Sequence, residues 1–290
     1  MKTRIITAVV MTAVLIPFFI FSETWAFPLL IAFLAGLGVY EMLRCIGVNN
    51  VFYSVIGVAF AAFQPILARF VSEANRQSDF QHNNKVVLSL FLGTAIIFVL
   101  AILIYAMFSK GKTDVGDAST AALFSVYVAL GFVSLMILRD DFCCGWFYVF
   151  LPFVISWTTD TFAYFCGMAF GKHKLIPDVS PKKTVEGSVG GTLCSVILTL
   201  VYGFVFTRFG YNVNYLFLAA VALVCSFLSQ CGDLLMSLVK RRYGIKDYGK
   251  LFPGHGGVLD RFDSIILCSL SIMFFLCYVP GVYNGIVSII

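Results

Sequence analysis

Charged residues are scarce in this sequence. Lys, Arg, Asp and Glu together make up 12% of its 290 residues, whereas hydrophobic residues make up 60% and aromatic residues 16%. Soluble domains usually contain about a quarter charged residues, and the mean hydropathy of +0.94 is far above their range. These proportions exclude a soluble globular domain and indicate an integral membrane protein.

Two further absences narrow the class. None of the nine cysteines forms a CxxC pair, which argues against a cysteine metal site or redox couple. There is also no repeat of about 20 to 50 residues and no low-complexity tract, so neither a solenoid nor an obvious inverted-repeat transporter is indicated. The cysteines are therefore interpreted as small apolar packing residues.

Nine apolar segments are each close to the ~20 residues that a membrane-spanning helix needs. They are residues 5–21, 26–43, 51–70, 86–108, 120–138, 146–167, 187–206, 215–239 and 265–290. Because these runs are continuous rather than alternating, they exclude barrel strands, and a bilayer otherwise admits only helices. The sequence predicts an all-α fold: a polytopic integral membrane helical bundle with about nine transmembrane helices.

The first apolar segment has a second interpretation. Lys2 and Arg4 before an apolar run also fit a secretory signal peptide. Residues 22–26 (SETWA) make a poor small-residue cleavage site, however, so we favour a first transmembrane helix.

Lys and Arg are distributed unevenly between alternate connections. With an inner N-terminus and nine spans, fifteen of the twenty lie on the inner side and five on the outer side. The outer five are Arg69, Arg76, Lys85, Arg139 and Arg208. By the positive-inside rule, the inner side is the cytoplasm.

The apolar spans up to about residue 139 carry few charges, whereas acidic residues intrude on the spans of the second half of the chain. Asp160, Asp233 and Asp260 each lie in or at the end of a span, where a charge costs roughly 2.5–3.5 kcal/mol on insertion scales. We therefore expect residues 1–139 to be an N-terminal transmembrane scaffold. Residues 140–290 are expected to form a C-terminal transmembrane catalytic region with loops on the cytoplasmic face.

The densest group of charges follows the eighth apolar segment. Residues 237–264 contain six of the twenty Lys and Arg residues and three carboxylates. On the preceding helix, Asp233, Ser237, Lys240 and Arg241 share one face at i, i+3 and i+4 spacings. This stripe fits either a metal ligand flanked by phosphate-binding cations or a buried ion pair within the helix.

The glycine-rich run FPGHGG, residues 252–257, comes just before the last span. Its glycines leave backbone N–H groups that can approach an anion, although such a run is also common in simple turns. Asp260 and Asp263 then open the last helix around Arg261. A helix dipole accounts for one acid at this position but not for two.

Asp233 and Asp260 are 27 residues apart on adjacent predicted helices. Mg²⁺ is typically held by one or two carboxylates plus substrate phosphates, with Lys and Arg neutralising the remaining phosphate charge. The combination therefore predicts a magnesium-dependent nucleoside triphosphate site.

Two other segments contribute candidates. SPKKTVEG, residues 180–187, places Lys182 and Lys183 just before a span, as a substrate-binding loop or as an ordinary positive-inside loop. DTFAY, residues 160–164, places Asp160 near the inner end of a span, in the site or as a structural hydrogen-bond hub. His255 either contacts phosphate or shapes its turn, whereas His82 and His173 have no recognisable partner.

The run SLVKRRYGIKDYGKLFPGHGGVLDRFD, residues 237–263, resembles the full signature of the phosphatidate cytidylyltransferases, also called CDP-diacylglycerol synthases. The segments at 160–164 and 180–187 resemble that family's companion motifs. The hydropathy profile is similar over the whole chain. The resemblance implies the conversion of CTP and phosphatidate to CDP-diacylglycerol and pyrophosphate in a bacterial inner membrane, with the active site facing the cytoplasm.

The resemblance also implies roles for individual residues and partners. It implies that Asp233 and Asp260 bind the metal, with support from Asp263. It implies phosphate binding by Ser237, Lys240, Arg241 and Arg261. The expected substrate-binding residues are Asp160, Lys182, Lys183, Gly254, His255, Gly256 and Gly257. Mg²⁺ is the expected cofactor, with Mn²⁺ as the alternative and K⁺ as a candidate companion. A homodimer in the bilayer is expected, without nucleic acid as a partner.

Three other functions are alternatives to this reaction. A related CTP-dependent transferase acting on another lipid, such as a polyprenol or an archaeal ether lipid, shares the same features. A CDP-alcohol phosphotransferase is disfavoured because its DGxxAR run is absent. A phosphate or lipid transporter would bind phosphate without consuming CTP.

Overall fold

The computed structural model describes residues 16–17, 19–48, 50–75, 80–109, 114–140, 144–279 and 286–289. Eight helices in this part of the chain are long and apolar enough, by length and composition, to cross a membrane. They are α1 (Ala26–Cys45), α2 (Val51–Ala74), α3 (Phe80–Phe108), α4 (Val115–Arg139), α5 (Gly145–Phe170), α6 (Val185–Thr207), α7 (Tyr215–Arg242) and α8 (Leu259–Tyr278).

These helices confirm the predicted all-α membrane class, and each corresponds to one predicted span. The remaining predicted span, residues 5–21, lies mostly outside the described residues, so the count of nine stays approximate. The cations outside the described residues are Lys2, Arg4, Arg76, Lys110 and Lys112.

Four short strands, which the apolar pattern did not predict, lie between or after the helices. β1 (Lys174–Ile176) pairs antiparallel with β2 (Ser180–Thr184), and β3 (Tyr211–Val213) pairs antiparallel with β4 (Val287–Ile289). In the first pair, Lys174 lies opposite Thr184. The β1–β2 hairpin occupies the connection in which the sequence predicted a substrate-binding loop.

The described residues form two compact units. The first comprises the described residues within 1–137 and 242–262, and the second comprises those within 138–241 and 263–290. The first turn of α8 therefore belongs to the first unit and the rest of that helix to the second. The division into a scaffold of residues 1–139 and a catalytic region of residues 140–290 stays a prediction.

In the first unit, small residues and aromatic rings allow the helices to pack closely. A Cβ added to Gly57 in α2 would lie 3.1 Å from the Leu43 side chain and 3.1 Å from Ser125 Oγ. Between α2 and α3, the rings of Phe60 and Phe98 stack with their centroids 4.3 Å apart. Asn50 caps α2 by accepting a hydrogen bond from the N–H of Phe52 at 2.9 Å.

In the second unit, α5 and α6 are in close contact through glycine. A Cβ at Gly191 would lie 2.7 Å from the Thr159 carbonyl oxygen, and one at Gly187 would lie 2.6 Å from that of Ala163. Small residues at these positions let two membrane helices approach to backbone contact. This contact fixes the ends of α5 and α6 next to the β1–β2 hairpin.

Hydroxyl groups connect α5 with α6 and α7 inside the second unit. Thr158 donates to Ser195 Oγ at 3.0 Å, Thr159 and Ser226 share a hydrogen bond of 2.8 Å, and Ser229 donates to Ser156 Oγ at 3.0 Å. Such pairs satisfy polar groups that would otherwise be buried without a partner in an apolar environment. These hydrogen bonds fix the position of α7 along α5, and so fix where Asp233 lies relative to α5.

Candidate active site

A cavity of about 490 Å³ lies within the second unit, at the ends of α5 and α7 and beside the β1–β2 hairpin. Its volume is in the range of pockets that bind small molecules. The charged side chains in its lining are Asp160, Asp233, Lys174, Lys182 and Lys183. Four of these five come from segments that the sequence singled out, and Lys174 was not among the candidates.

The β1–β2 hairpin positions the lysines. Glu186, in the first turn of α6, binds His173 Nδ1 at 2.6 Å and also accepts a hydrogen bond from the His173 N–H at 3.2 Å. The carbonyl of His173 in turn accepts from the Val185 N–H at 2.9 Å. His173, for which the sequence suggested no partner, therefore fastens the hairpin to the helix that follows it.

The start of α6 lies at this cavity. Thr184 caps the helix by accepting a hydrogen bond from the Gly187 N–H at 3.1 Å, and both Thr184 and Ser188 line the cavity. Lys182 and Lys183 come immediately before this cap on β2. A helix N-terminus next to lysines is a favourable environment for phosphate.

Three carboxylates cluster in the second unit. Asp233 on α7 and Asp160 on α5 both lie close enough to Asp263 on α8 to repel it electrostatically. Ser264 connects two of them, because its hydroxyl donates to Asp160 Oδ2 at 3.2 Å and its N–H donates to Asp263 Oδ1 at 2.9 Å.

The absence of a side chain at Gly232 allows the three carboxylates to lie close together. A Cβ at Gly232 would lie 2.8 Å from the Asp263 carbonyl oxygen and 3.0 Å from Leu267 Cβ. The backbones of α7 and α8 therefore meet at this glycine. Asp233, the next residue, is carried to the side of Asp263.

Two lysines are paired with this acid cluster. Lys183 forms an ion pair with Asp233 Oδ2, and the side chains of both are largely buried. Lys240 Nζ lies 3.9 Å from Asp263 Oδ2. Ser237 donates a long hydrogen bond of 3.5 Å to Asp233 Oδ1. Of the predicted stripe on α7, Asp233 thus belongs to the acid cluster, and Ser237 and Lys240 face it. Arg241 is exposed.

The glycine-rich run forms a closed turn in the first unit. The Phe252 N–H donates to the Gly256 carbonyl at 2.9 Å, and the N–H groups of His255 and Gly256 donate back to the Phe252 carbonyl. Gly254 and Gly256 have positive φ values of 77° and 87°, which glycine adopts readily. An anion would reach these N–H groups only by replacing their present acceptors, so substrate binding by residues 254–257 stays a prediction.

Asp260 lies beneath this turn and is buried. Its Oδ2 atom accepts hydrogen bonds from the N–H groups of Tyr248 at 2.7 Å and Gly257 at 2.9 Å. Asp260 thus belongs to the first unit and Asp233 to the second. Arg261, also in the first unit, is exposed.

Sequence reasoning missed two polar residues within apolar helices. Glu41 on α1 is buried and accepts hydrogen bonds from the start of α8. Gln230 lines the cavity one turn before Asp233 and donates to Thr192 Oγ1 at 3.0 Å. Each could have been found by treating every polar residue inside a span as a functional candidate.

The acid cluster fits a hard divalent cation by the chemistry of its donors. Within the described part of the chain, no group of three or more His, Cys, Asp or Glu side chains is arranged to hold a metal ion. Mg²⁺ does not require such a group, because it keeps several waters and binds through one or two carboxylates plus substrate phosphates. Asp233 and its neighbour Asp263 provide oxygen donors of this kind.

Comparison with known proteins agrees with these features. The chain is 34% identical over 270 residues to the phosphatidate cytidylyltransferase of Staphylococcus haemolyticus, covering 92% of this chain and 95% of that protein. It is 34% identical over 269 residues to the phosphatidate cytidylyltransferase of Staphylococcus saprophyticus, with the same coverage. The enzyme of that name from Staphylococcus aureus strain COL is 40% identical over 186 residues, which are 64% of this chain and 69% of that protein.

A family model covers nearly the whole chain as well. The model described as the cytidylyltransferase family matches residues 2–279. This match confirms the resemblance carried by residues 237–263. The chain belongs to the cytidylyltransferase family.

Proposed function

We propose that this protein transfers the cytidylyl group of CTP to phosphatidate, giving CDP-diacylglycerol and pyrophosphate. The observation that carries the proposal is the lysine-lined cavity next to the acid cluster of the second unit. Lysines bind the phosphates that both substrates bear, and carboxylates bind the cation that accompanies a triphosphate. The membrane helices suit a substrate whose acyl chains stay in the bilayer.

The chemistry requires little from a general base. The second pKa of a phosphate monoester is near 6, so the attacking oxygen of phosphatidate is largely deprotonated at neutral pH. That oxygen attacks the α-phosphorus of CTP, the bond from this phosphorus to the bridging oxygen breaks, and pyrophosphate leaves with the electron pair. The protein therefore acts by aligning the two phosphates and stabilising the charge of the leaving group.

Different residues of the second unit would align the phosphates and stabilise the leaving group. Lys182 and Lys183, at the start of α6, would hold phosphate oxygens in the cavity. Lys240 and Ser237, which face the acid cluster, would contact the triphosphate. Lys174, on the opposite strand of the hairpin, supplies a third cation at the cavity wall.

Asp233 would hold Mg²⁺. Metal binding by Asp260 stays a prediction of the family signature. The clustering of Asp160, Asp233 and Asp263 supports a cation at this place, because acids repel one another when they are close and largely buried. Bound Mg²⁺ would neutralise the triphosphate and favour departure of pyrophosphate. Mn²⁺ is the expected substitute, and K⁺ is a candidate companion.

We further propose that the protein lies in the bacterial inner membrane as a homodimer, with the site facing the cytoplasm. The fifteen-to-five distribution of Lys and Arg supports this orientation. Single-cysteine labelling at position 246 in right-side-out and inverted vesicles tests it, since only inverted vesicles should expose that position. Light scattering of the purified protein in detergent tests the dimer.

The decisive experiment is an assay of purified protein with labelled CTP and phosphatidate. We expect labelled CDP-diacylglycerol with Mg²⁺, none with excess chelator, and recovery when Mg²⁺ or Mn²⁺ is restored. Replacing phosphatidate by polyprenyl phosphate or an archaeal ether lipid phosphate tests the related transferases. Product formed only from one of those lipids would contradict the proposal.

A further inference from the structure

Helix α1 contains a single acidic residue, Glu41, and it is only 7% exposed. A buried carboxylate in a membrane helix is costly unless it is paired or hydrogen-bonded. Apart from Arg44 in the last turn, Glu41 is the only charged residue of this helix, and its burial therefore indicates a specific partner.

The partner is the start of α8, 217 and 218 residues further along the chain. Glu41 Oε1 accepts a hydrogen bond from the Val258 N–H at 3.0 Å, and Oε2 accepts one from the Leu259 N–H at 3.0 Å. These are among the N–H groups that a helix cannot satisfy within itself. A carboxylate at this end is also favoured by the helix dipole.

Two glycines of the signature run make room for the carboxylate. A Cβ at Gly257 would lie 2.3 Å from Oε1 and 2.4 Å from Oε2 of Glu41, and one at Gly249 would lie 2.2 Å from Oε1. No side chain can occupy either position while Glu41 keeps its hydrogen bonds. The backbone on both sides of the FPGHGG turn is therefore shaped around Glu41.

Asp260 also binds backbone N–H groups of this segment. It accepts from the N–H groups of Tyr248 and Gly257, so the N–H groups of residues 257, 258 and 259 in sequence are divided between Asp260 and Glu41. Displacing Glu41 would therefore shift the segment that holds Asp260.

We propose that Glu41 is a positioning residue for cytidylyl transfer: it fixes the signature loop and the first turn of α8, and thereby the orientation of Asp260 and Arg261. The inference rests on the proposed function. Glu41 contacts backbone groups of the loop, and it acts on the reaction through them.

The test compares Glu41→Gln and Glu41→Asp with wild type and with Glu73→Gln as the matched control. Glu73 is an acid of the same unit whose partner is Arg69 on its own helix, and its side chain is 38% exposed. Each purified protein is assayed for kcat and for the KM of CTP and phosphatidate. Its thermal unfolding curve gives the midpoint and the fraction folded at the assay temperature.

In Glu41→Gln, the amide keeps the shape but loses the charge and one of the two acceptors. We expect kcat per folded molecule to fall by about tenfold or more, because hydrogen bonds to a charged group are the stronger kind. The KM of phosphatidate should stay within about twofold of wild type, since the loop rather than the lipid site is disturbed. Glu41→Asp, which keeps the charge, should recover part of kcat, and Glu73→Gln should match wild type.

A purely structural role would lower the unfolding midpoint while leaving kcat per folded molecule unchanged, and that result would overturn the inference. If Glu41→Gln does not fold, Glu41→Asp decides in the same way: a lowered kcat supports the inference and a wild-type kcat overturns it. Failure of the proposed function is distinguishable, because wild type would then form no product from CTP and phosphatidate.

Discussion

Lys183 and Asp233 form an ion pair that joins strand β2 to helix α7 at the wall of the cavity. The pair brings together two motifs that are 50 residues apart in sequence, the SPKKTVEG segment and the helix that precedes the signature. In a triphosphate complex, this lysine and this carboxylate would bind opposite partners, phosphate and cation. Under the proposed function, the ion pair joins two groups that would take separate roles once substrate and cation are bound.

Replacing Asp233 by Asn should abolish most of the activity. The change keeps the size of the side chain but removes the charge that would hold the cation and pair with Lys183. We expect kcat/KM to fall by about 100-fold or more, comparable to the loss of one strong electrostatic contact to a transition state. The assay with labelled CTP measures it. Asp178→Asn, an exposed acid in the turn of the hairpin, is the control and should retain wild-type activity.

The two adjacent lysines of β2 should differ in importance. Lys183 is largely buried and paired with Asp233, whereas Lys182 is exposed at the cavity rim. Lys183→Gln should lower kcat/KM by about 10- to 100-fold, and Lys182→Gln by less, because only the first leaves a buried carboxylate without its partner. Equal effects in the two variants would contradict the assignment. Lys85→Gln, on the exposed surface of α3, serves as the reference.

Gly232 should not tolerate a side chain. A methyl group there would meet the Asp263 carbonyl oxygen at 2.8 Å and force α7 and α8 apart. Gly232→Ala should destabilise the protein by about 1–3 kcal/mol, as overpacking typically does, and should lower activity because Asp233 moves away from Asp263. The matched variant is Gly93→Ala in α3, where, apart from the nearby backbone of its own helix, no atom of the described residues lies within 4 Å of the added group. A thermal unfolding curve in detergent that shifts equally for both variants would be inconsistent with close contact at Gly232.

The sequence alone predicts the helices and identifies most of the candidate site residues, because both depend on local patterns. A continuous apolar run must become a helix in a bilayer, whatever its neighbours are. The polar stripe on α7 is equally local, since Asp233, Ser237 and Lys240 share a face of one helix.

The contacts that organise the site were not predictable in this way. Asp160, Asp233 and Asp263 come from three helices, which are joined by the contact of α7 with α8 at Gly232 and by hydroxyl hydrogen bonds between α5 and α7. The hydrogen bonds from Glu41 to residues 258 and 259 span most of the chain. The β1–β2 hairpin has a mixed polar composition without the alternation that marks a strand, so its sequence predicts a loop.

The turn at Gly256 offers a test of the way Asp260 is held. Gly256 and Gly210 have nearly the same backbone conformation, with φ values of 87° and 85°. Alanine at either position should cost about 1–2 kcal/mol for its left-handed conformation. At Gly256 the added Cβ would also lie 2.7 Å from Asp260 Oδ2. At Gly210, apart from the adjoining residues, no atom of the described part of the chain lies within 4 Å.

Gly256→Ala should therefore displace the Asp260 carboxylate from the N–H groups of Tyr248 and Gly257, and Gly210→Ala should not. We expect a lower unfolding midpoint in both variants but a fall in kcat per folded molecule only in Gly256→Ala. Unfolding curves and the labelled-CTP assay on the same preparations give the two quantities. If the two alanine variants lost stability and activity to the same extent, backbone strain alone would explain them, and Asp260 would have no need of its present position.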